Sequence, residues 1–445
     1  MKKIKFKILI INFLLLFGIL NFLPLDPALS KGLGIFVFIA ILWIMEVFHV
    51  SVTALMVPVL AVLLGVFDVT GALKNFANPI IFLFLGGFAL ASAMHKQELD
   101  LVIADSVLQL SRGNMLLASI LVFILTAFTS MWISNTATVA MMLPLVLGLL
   151  SQLPFKENKS IYLYFLLGLA YSGSIGGMGT LVGSPPNAIA AAATGIGFAE
   201  WMRFGIPMVM ISLPIMILVL YVILRPKLSK GVSIKQKDFS MTSGRKKVAI
   251  IFLLTVLCWI FSKPLKEALG VKGSIDAIVA IGAIIALCGT RVVSWKEVEK
   301  SADWGVLLLF GGGITLSAIL KATGTSEFLA NSVSDMMQGA AALFFILVTI
   351  AFVVFMTELA SNTASTALLV PIFMTIADMM NFSSTVVAVC IALAASCAFM
   401  LPVATPPNAI VFGSGYIKQG DMMKTGIYLN LGFISLISAI AYLFV

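Results

Sequence analysis

The sequence predicts an all-α polytopic membrane protein of about 11 transmembrane helices plus two re-entrant hairpins, arranged as inverted five-span repeats. Three observations predict this class. The 445 residues are 61% hydrophobic and only 11% charged, where a soluble domain of this size carries about 25% charged residues. Runs of ~20 apolar residues, long enough to cross a bilayer, recur along the chain, whereas a β-barrel would show shorter alternating segments. Finally, one polar triplet, Ser-Asn-Thr, stands twice, at 134–136 and at 361–363, each time inside an apolar segment.

The elements follow in order. Residues 1–32 hold a basic tail, Met1-Lys-Lys-Ile-Lys-Phe-Lys7, and a first span from about Ile8 to Leu25. A cleaved leader would end in small residues; Phe22-Leu-Pro-Leu25 does not, so the span is expected to be retained. Repeat 1 covers 33–224: scaffold spans within 33–98, a re-entrant hairpin at about 115–152, a broken helix at about 161–195 and a span at 204–224. A linker at 225–247 carries eight Lys or Arg and forms the natural boundary. Repeat 2 covers 248–445: scaffold spans within 248–320, a hairpin at about 340–380, a broken helix at about 384–413 and a span at 425–445.

Three matches in the same order support the repeat. Ile133 to Pro144 aligns on Ala360 to Pro371 with six of twelve positions identical. Val182-Gly-Ser-Pro-Pro-Asn-Ala-Ile189 aligns on Val403-Ala-Thr-Pro-Pro-Asn-Ala-Ile410 with six of eight identical. Leu85-Gly86-Gly87 aligns on Phe310-Gly311-Gly312. The offsets are 227, 221 and 225 residues.

Charge sets the expected topology. With a cytoplasmic N-terminus and hairpins that enter and leave on one side, 21 Lys or Arg fall on the cytoplasmic face and seven on the other. That agrees with the positive-inside rule. It places the C-terminus on the outer side of a multi-pass protein of the cell (inner) membrane. Five crossings per repeat is odd, so the copies are inverted, a common plan in secondary transporters. The net charge of +9 lies in loops and does not point to nucleic acid. Cys258, Cys288, Cys390 and Cys397 all fall in apolar segments without CxxC spacing, which reads as buried free thiols rather than disulfides or metal clusters. Two histidines, with no His-Glu-x-x-His motif and no Ser-His-Asp set, speak against an enzyme.

The doubled motif carries the site chemistry. Ser, Asn and Thr cap helix N-termini, and Pro suits the first helical position. Half-helices are therefore expected to open near 137 and 364 after Ser-Asn-Thr, and near 187 and 408 after Pro-Pro. Four such N-termini, each with free N–H groups and partial positive charge, suit an anion. The carbonyls that end the preceding segments suit a hard cation. No Lys or Arg stands inside a confident span, so a bound cation such as sodium would supply the missing positive charge. Among acids at depth, Glu46, Asp276 and Asp378 read as structural, as does His49. Glu358 is the exception, three residues before Ser361, where the first copy has Met131.

These motifs resemble the divalent anion:sodium symporter family, and most nearly its bacterial INDY-type sodium/dicarboxylate symporters. The resemblance covers nearly the whole chain apart from the first span. It implies substrate carboxylates held by Asn135, Thr136, Asn362 and Thr363, with Ser184 and Pro185 from the first break and Thr405 and Pro406 from the second. It implies one sodium site at Ser130, Ser134, Asn135 and Gly183, and another at Thr357, Ala360, Asn362 and Ala404. It further implies a homodimer in which a transport domain rides against a scaffold as an elevator. The expected function is sodium-coupled import of C4-dicarboxylates such as succinate, malate and fumarate. Exchange of dicarboxylates, or sodium-coupled transport of citrate or sulfate, are the alternatives on the same fold.

Overall fold

A computed structural model describes residues 2–229, 231, 240–271, 273–336 and 342–444. Parts of the basic linker (230 and 232–239), Lys272 and the start of the second hairpin (340–341) lie outside the described residues. The described chain is helical, with a single isolated bridge between Asn114 and Gly231. The first half comprises α1 (Lys2–Phe22), α2 (Pro27–Ile44), α3 (Val50–Leu63), α4 (Val69–Leu73), α5 (Pro79–Lys96), α6 (Leu99–Gln109), α7 (Met115–Ser130), α8 (Asn135–Leu150), α9 (Phe155–Gly177), α10 (Pro185–Thr194) and α11 (Phe198–Leu224). The second comprises α12 (Ser243–Ile260), α13 (Ser262–Leu269), α14 (Asp276–Gly289), α15 (Trp295–Ser301), α16 (Trp304–Ala322), α17 (Thr325–Met336), α18 (Ala342–Leu359), α19 (Asn362–Met379), α20 (Ser384–Ala395), α21 (Pro406–Gly413) and α22 (Gln419–Phe444).

Six helices among the described residues are long and apolar enough to cross a bilayer alone: those at 4–22, 27–44, 69–96, 198–224, 304–322 and 419–442. Others are apolar but short. The 14 residues of α3 and of α14 reach only ~21 Å at 1.5 Å per residue, against a hydrocarbon core of ~30 Å. Outward faces carry exposed Leu14, Leu63, Leu218 and Ile285, the apolar surface that lipid requires.

Contacts recur in pairs across the two halves. Trp43 Nε1 donates to Val50 O at 3.0 Å, and Trp259 Nε1 donates to Asp276 O at 3.0 Å. Helices α5 and α14 touch so closely that a Cβ on Gly86 would lie 2.6 Å from Ala280 Cβ; α16 and α3 likewise, a Cβ on Gly312 falling 2.5 Å from Ala54 O. Phe84 and Phe310 meet edge to face, with centroids 4.9 Å apart. Gly205 presses on Met178 O and Gly179 O as Gly426 presses on Phe399 O. Each half-helix also packs against the other half's pieces: α10 lies on α19 and α20, while α21 lies on α8 and α9. This exchange brings two chain segments far apart in sequence to one place.

The pairs correct one alignment. Gly86 corresponds to Gly312, Ala54 to Ala280 and Phe84 to Phe310, an offset of 226 rather than 225. The second half has three successive glycines, Gly311 to Gly313, where the first has two. Identity alone chose the wrong two.

Boundaries also move. The half-helices open at Asn135, Asn362, Pro185 and Pro406, two residues earlier than expected, with Ser134, Ser361, Ser184 and Thr405 in the cap positions. Apolar character runs on to 403, yet α20 ends at Ala395. The helices α4, α6, α13, α15 and α17 leave no apolar run in the sequence, because they are short or carry several polar residues. His49 caps α3, its Nδ1 accepting from Ser51 N at 3.4 Å, and Asp378 is exposed near the end of α19. Asp276 does not cap its own helix: its Oδ2 accepts from Phe198 N of α11 at 2.9 Å.

Candidate functional site

The caps build the site. Ser134 Oγ accepts from Ala137 N at 3.3 Å and Ser361 Oγ from Ala364 N at 3.4 Å, so each triplet turns the chain into α8 and α19. Thr405 Oγ1 accepts from Asn408 N at 3.3 Å, whereas Ser184 makes no such bond. The hydroxyl of Ser184 is thus the freer of the two.

Both breaks are stapled the same way. Asn187 Nδ2 donates to Gly177 O (2.8 Å) and Thr180 O (2.7 Å); Asn408 Nδ2 donates to Ala398 O (2.9 Å) and Leu401 O (3.0 Å). A helix end leaves its last carbonyls without partners. One amide in each break takes two of them and holds the chain open.

All four helix starts face one cavity of about 1330 Å³. Asn135, Thr136, Ser184, Pro185, Asn362, Thr363, Thr405 and Pro406 all line it, as do Ser134, Gly183 and Ala404. Ser130, Thr357 and Ala360 are buried off its wall. Thr138 and Ser174 also line the cavity, and their buried hydroxyls have no hydrogen-bond partner.

Ser130 joins the first tip directly. Its Oγ lies 2.6 Å from the Asn135 amide and 2.7 Å from Gly173 O. The Asn135 amide faces acceptors, and its Nδ2 donates to Ser130 Oγ at 2.6 Å, Gly183 O at 3.1 Å and Gly173 O at 3.3 Å. Three oxygens, Ser130 Oγ, Gly173 O and Gly183 O, thus gather around the first tip, a donor set that suits a hard cation. Gly173 was missed in the sequence because a backbone carbonyl leaves no signal there. At the second tip, Asn362 Oδ1 is buried without a partner, while the Thr357 hydroxyl donates to Val354 O at 3.0 Å within its own helix. The second set is therefore less assembled than the first.

Charged groups stand at the cavity's rim. Lys96 Nζ pairs with Glu297 Oε2 at 2.7 Å, and His95 Nδ1 lies 3.3 Å from Asp100 Oδ2. The Lys96 ammonium, helped by the Ser294 N–H and hydroxyl, pulls the Glu297 carboxyl down to about 2.

Comparison with known proteins gives the family. The sodium:sulfate symporter transmembrane region matches residues 3–445. An uncharacterized transporter of Haemophilus influenzae is 50% identical over 444 residues, covering 98% of this chain and 96% of its own. The sodium-dependent dicarboxylate transporter SdcS of Staphylococcus aureus is 35% identical over 431 residues, covering 90% and 82%. Among solved structures, MtrF of Neisseria gonorrhoeae superposes with a TM-score of 0.56 at 14% identity, over 96% of this chain and 97% of its own, a likeness of fold alone. The chain is a multi-pass membrane transporter and not an enzyme. It belongs to the sodium:sulfate symporter family, the divalent anion:sodium symporters that its motifs resemble.

Proposed function

We propose that the protein imports C4-dicarboxylates such as succinate, malate and fumarate, coupled to sodium. The observation that carries this is the convergence of both Ser-Asn-Thr tips and both Pro-Pro helix starts on one cavity. An Asn-Thr pair from each tip suits a ligand with a carboxylate at either end. Asn135, Thr136, Asn362 and Thr363 bind those carboxylates, with Ser184, Pro185, Thr405 and Pro406 completing the walls. Helix N-termini stabilise anions through their free N–H groups. The first sodium site uses Ser130, Ser134, Asn135 and Gly183, to which Gly173 O is added; the oxygens of Ser130, Gly173 and Gly183 that converge on the Asn135 amide support it. The second uses Thr357, Ala360, Asn362 and Ala404, where the unpartnered Asn362 oxygen is the supporting feature.

The same reading takes the fold as two inverted five-span repeats, about 11 spans and two hairpins, with the N-terminus cytoplasmic and the C-terminus outside. The paired contacts of Trp43 and Trp259, of Gly86 and Gly312, and of Asn187 and Asn408 support it. Hairpins and broken helices move as one body against the scaffold spans of a homodimer. The rim at Lys96 and Glu297 then lies on the cytoplasmic side, and the cavity opens inward.

Thermal unfolding of purified protein with succinate, citrate and sulfate, each with and without sodium, tests the reading. A ligand at 100 times its dissociation constant stabilises by about 2.7 kcal/mol. The expected result is a succinate shift that requires sodium. A sodium-dependent shift with sulfate or citrate alone would replace the substrate, and a sodium-independent succinate shift would favour exchange.

A further inference from the structure

Most polar devices of the site come in two copies; Glu358 does not. It stands where the first copy has Met131, and it is 4% exposed. Its Oε1 accepts from Phe399 N at 2.7 Å, Met400 N at 2.8 Å and Asn430 Nδ2 at 2.7 Å, and its Oε2 from Leu401 N at 3.1 Å. One carboxylate thus gathers three successive amides of the second break and a side chain of α22. It makes no ion pair among the described residues.

The two breaks show what this does. In the first, α9 runs to Gly177, and Met178 N and Gly179 N bond back to Ile175 O (3.1 Å) and Gly176 O (2.9 Å). The position corresponding to Gly177 is Ala398, but α20 stops at Ala395, about one turn short. The amides of Phe399, Met400 and Leu401 are those that a continued turn would have bonded to 395–397. Glu358 supplies their acceptors instead. The opened carbonyls are taken from elsewhere: Ala398 O and Leu401 O by Asn408, and Phe399 O by Tyr171 Oη at 2.8 Å. In the first copy, the Met131 side chain packs at the matching place, 2.9 Å from where a Cβ on Gly179 would stand. An apolar group there leaves the helix wound; a carboxylate unwinds it.

We infer that Glu358 is the positioning residue of the second sodium site, holding the break open and placing a negative charge beside Thr357 that the first site lacks. This rests on the sodium-coupled reading of the cavity. Four donors aimed at one group require an acceptor-only partner, and charge-assisted bonds of this kind are stronger than neutral ones. A glutamine would turn an NH₂ toward N–H donors and strand at least one buried amide. The two sodium sites are thereby unequal, the second depending on a carboxylate and the first on Asn135 and backbone oxygens.

The test is Glu358→Gln in liposomes, with sodium titrated at fixed succinate, and hydrogen–deuterium exchange of the same protein without ligand. Sodium half-saturation is expected to rise about tenfold, with succinate KM at saturating sodium within about twofold of wild type. Amides 399–401 are expected to exchange at least about tenfold faster, with those of 178–184 unchanged. Asn430→Leu removes one donor of four and keeps the carboxylate, and should shift sodium half-saturation in the same direction by about threefold. Unchanged sodium half-saturation in folded variants, or unchanged exchange at 399–401, overturns the inference. If Glu358→Gln does not fold, fast exchange of 399–401 in the wild type overturns it as well. Wild-type uptake indifferent to sodium would sink the coupling instead, and the exchange experiment would still decide whether Glu358 holds the break.

Discussion

Replacing Asn187 by leucine removes the staple of the first break while nearly conserving volume. Two carbonyls, Gly177 O and Thr180 O, lose donors at 2.8 and 2.7 Å in a fully buried setting. Gly177 O is then left without a partner, at about 1–3 kcal/mol, while Thr180 O keeps the Gly183 N–H at 3.4 Å and loses about 1 kcal/mol. The Asn187 Oδ1 is itself buried without a partner, so its removal returns about 1 kcal/mol. The balance is a loss of about 2 kcal/mol, or roughly a factor of 30 in an equilibrium. Asn408→Leu, which strands Ala398 O and leaves Leu401 O only the Ala404 N–H at 3.2 Å, should cost about the same. The assay is thermal unfolding in detergent with a thiol-reactive dye, since Cys390 and Cys397 are buried and free and report on opening. Succinate uptake in liposomes should fall tenfold or more in both variants. An Asn187→Leu protein that melts with the wild type and transports at its rate would refute the claim that this amide sets the break.

Two further predictions concern packing and charge. A Cβ at Gly176 would lie 2.2 Å from Ala127 O, backbone that cannot swing aside; Gly176→Val should part α7 from α9, cost ~3 kcal/mol or more, and appear as loss of a monodisperse peak on size exclusion. The Glu297 carboxyl is depressed to about 2, so whatever its pair with Lys96 contributes is present above the ordinary carboxylate value of ~4.3 and lost only as pH falls from there toward about 2. Lys96→Ala should therefore leave the shape of the uptake profile between about pH 6 and about pH 8 unchanged.

The sequence was most legible where a residue type has one strong local use. Ser134 and Ser361 cap helices because a short hydroxyl before an apolar run has little else to do, and the Pro-Pro pairs open half-helices because proline lacks the N–H that a first turn leaves unbonded anyway. The eight proposed substrate residues accordingly came together on one cavity. Three-dimensional pairing was less legible. Glycine identity favoured Gly86 with Gly311, and only the reciprocal approach to Ala280 and Ala54 singled out Gly312. The end of α20 was hidden because Ser396 to Phe399 reads as apolar helix, and the group that ends the helix there, Glu358, stands some forty residues earlier. Gly173 entered through its carbonyl, which any residue possesses.

The most direct test of the account is uptake of labelled succinate into liposomes holding the purified protein, with an inward sodium gradient and with choline in its place. Uptake is expected with sodium, none above background with choline, and none in either condition for the double variant Asn135→Leu and Asn362→Leu. Undiminished uptake in choline would contradict the coupling, and undiminished uptake by the double variant would contradict the site.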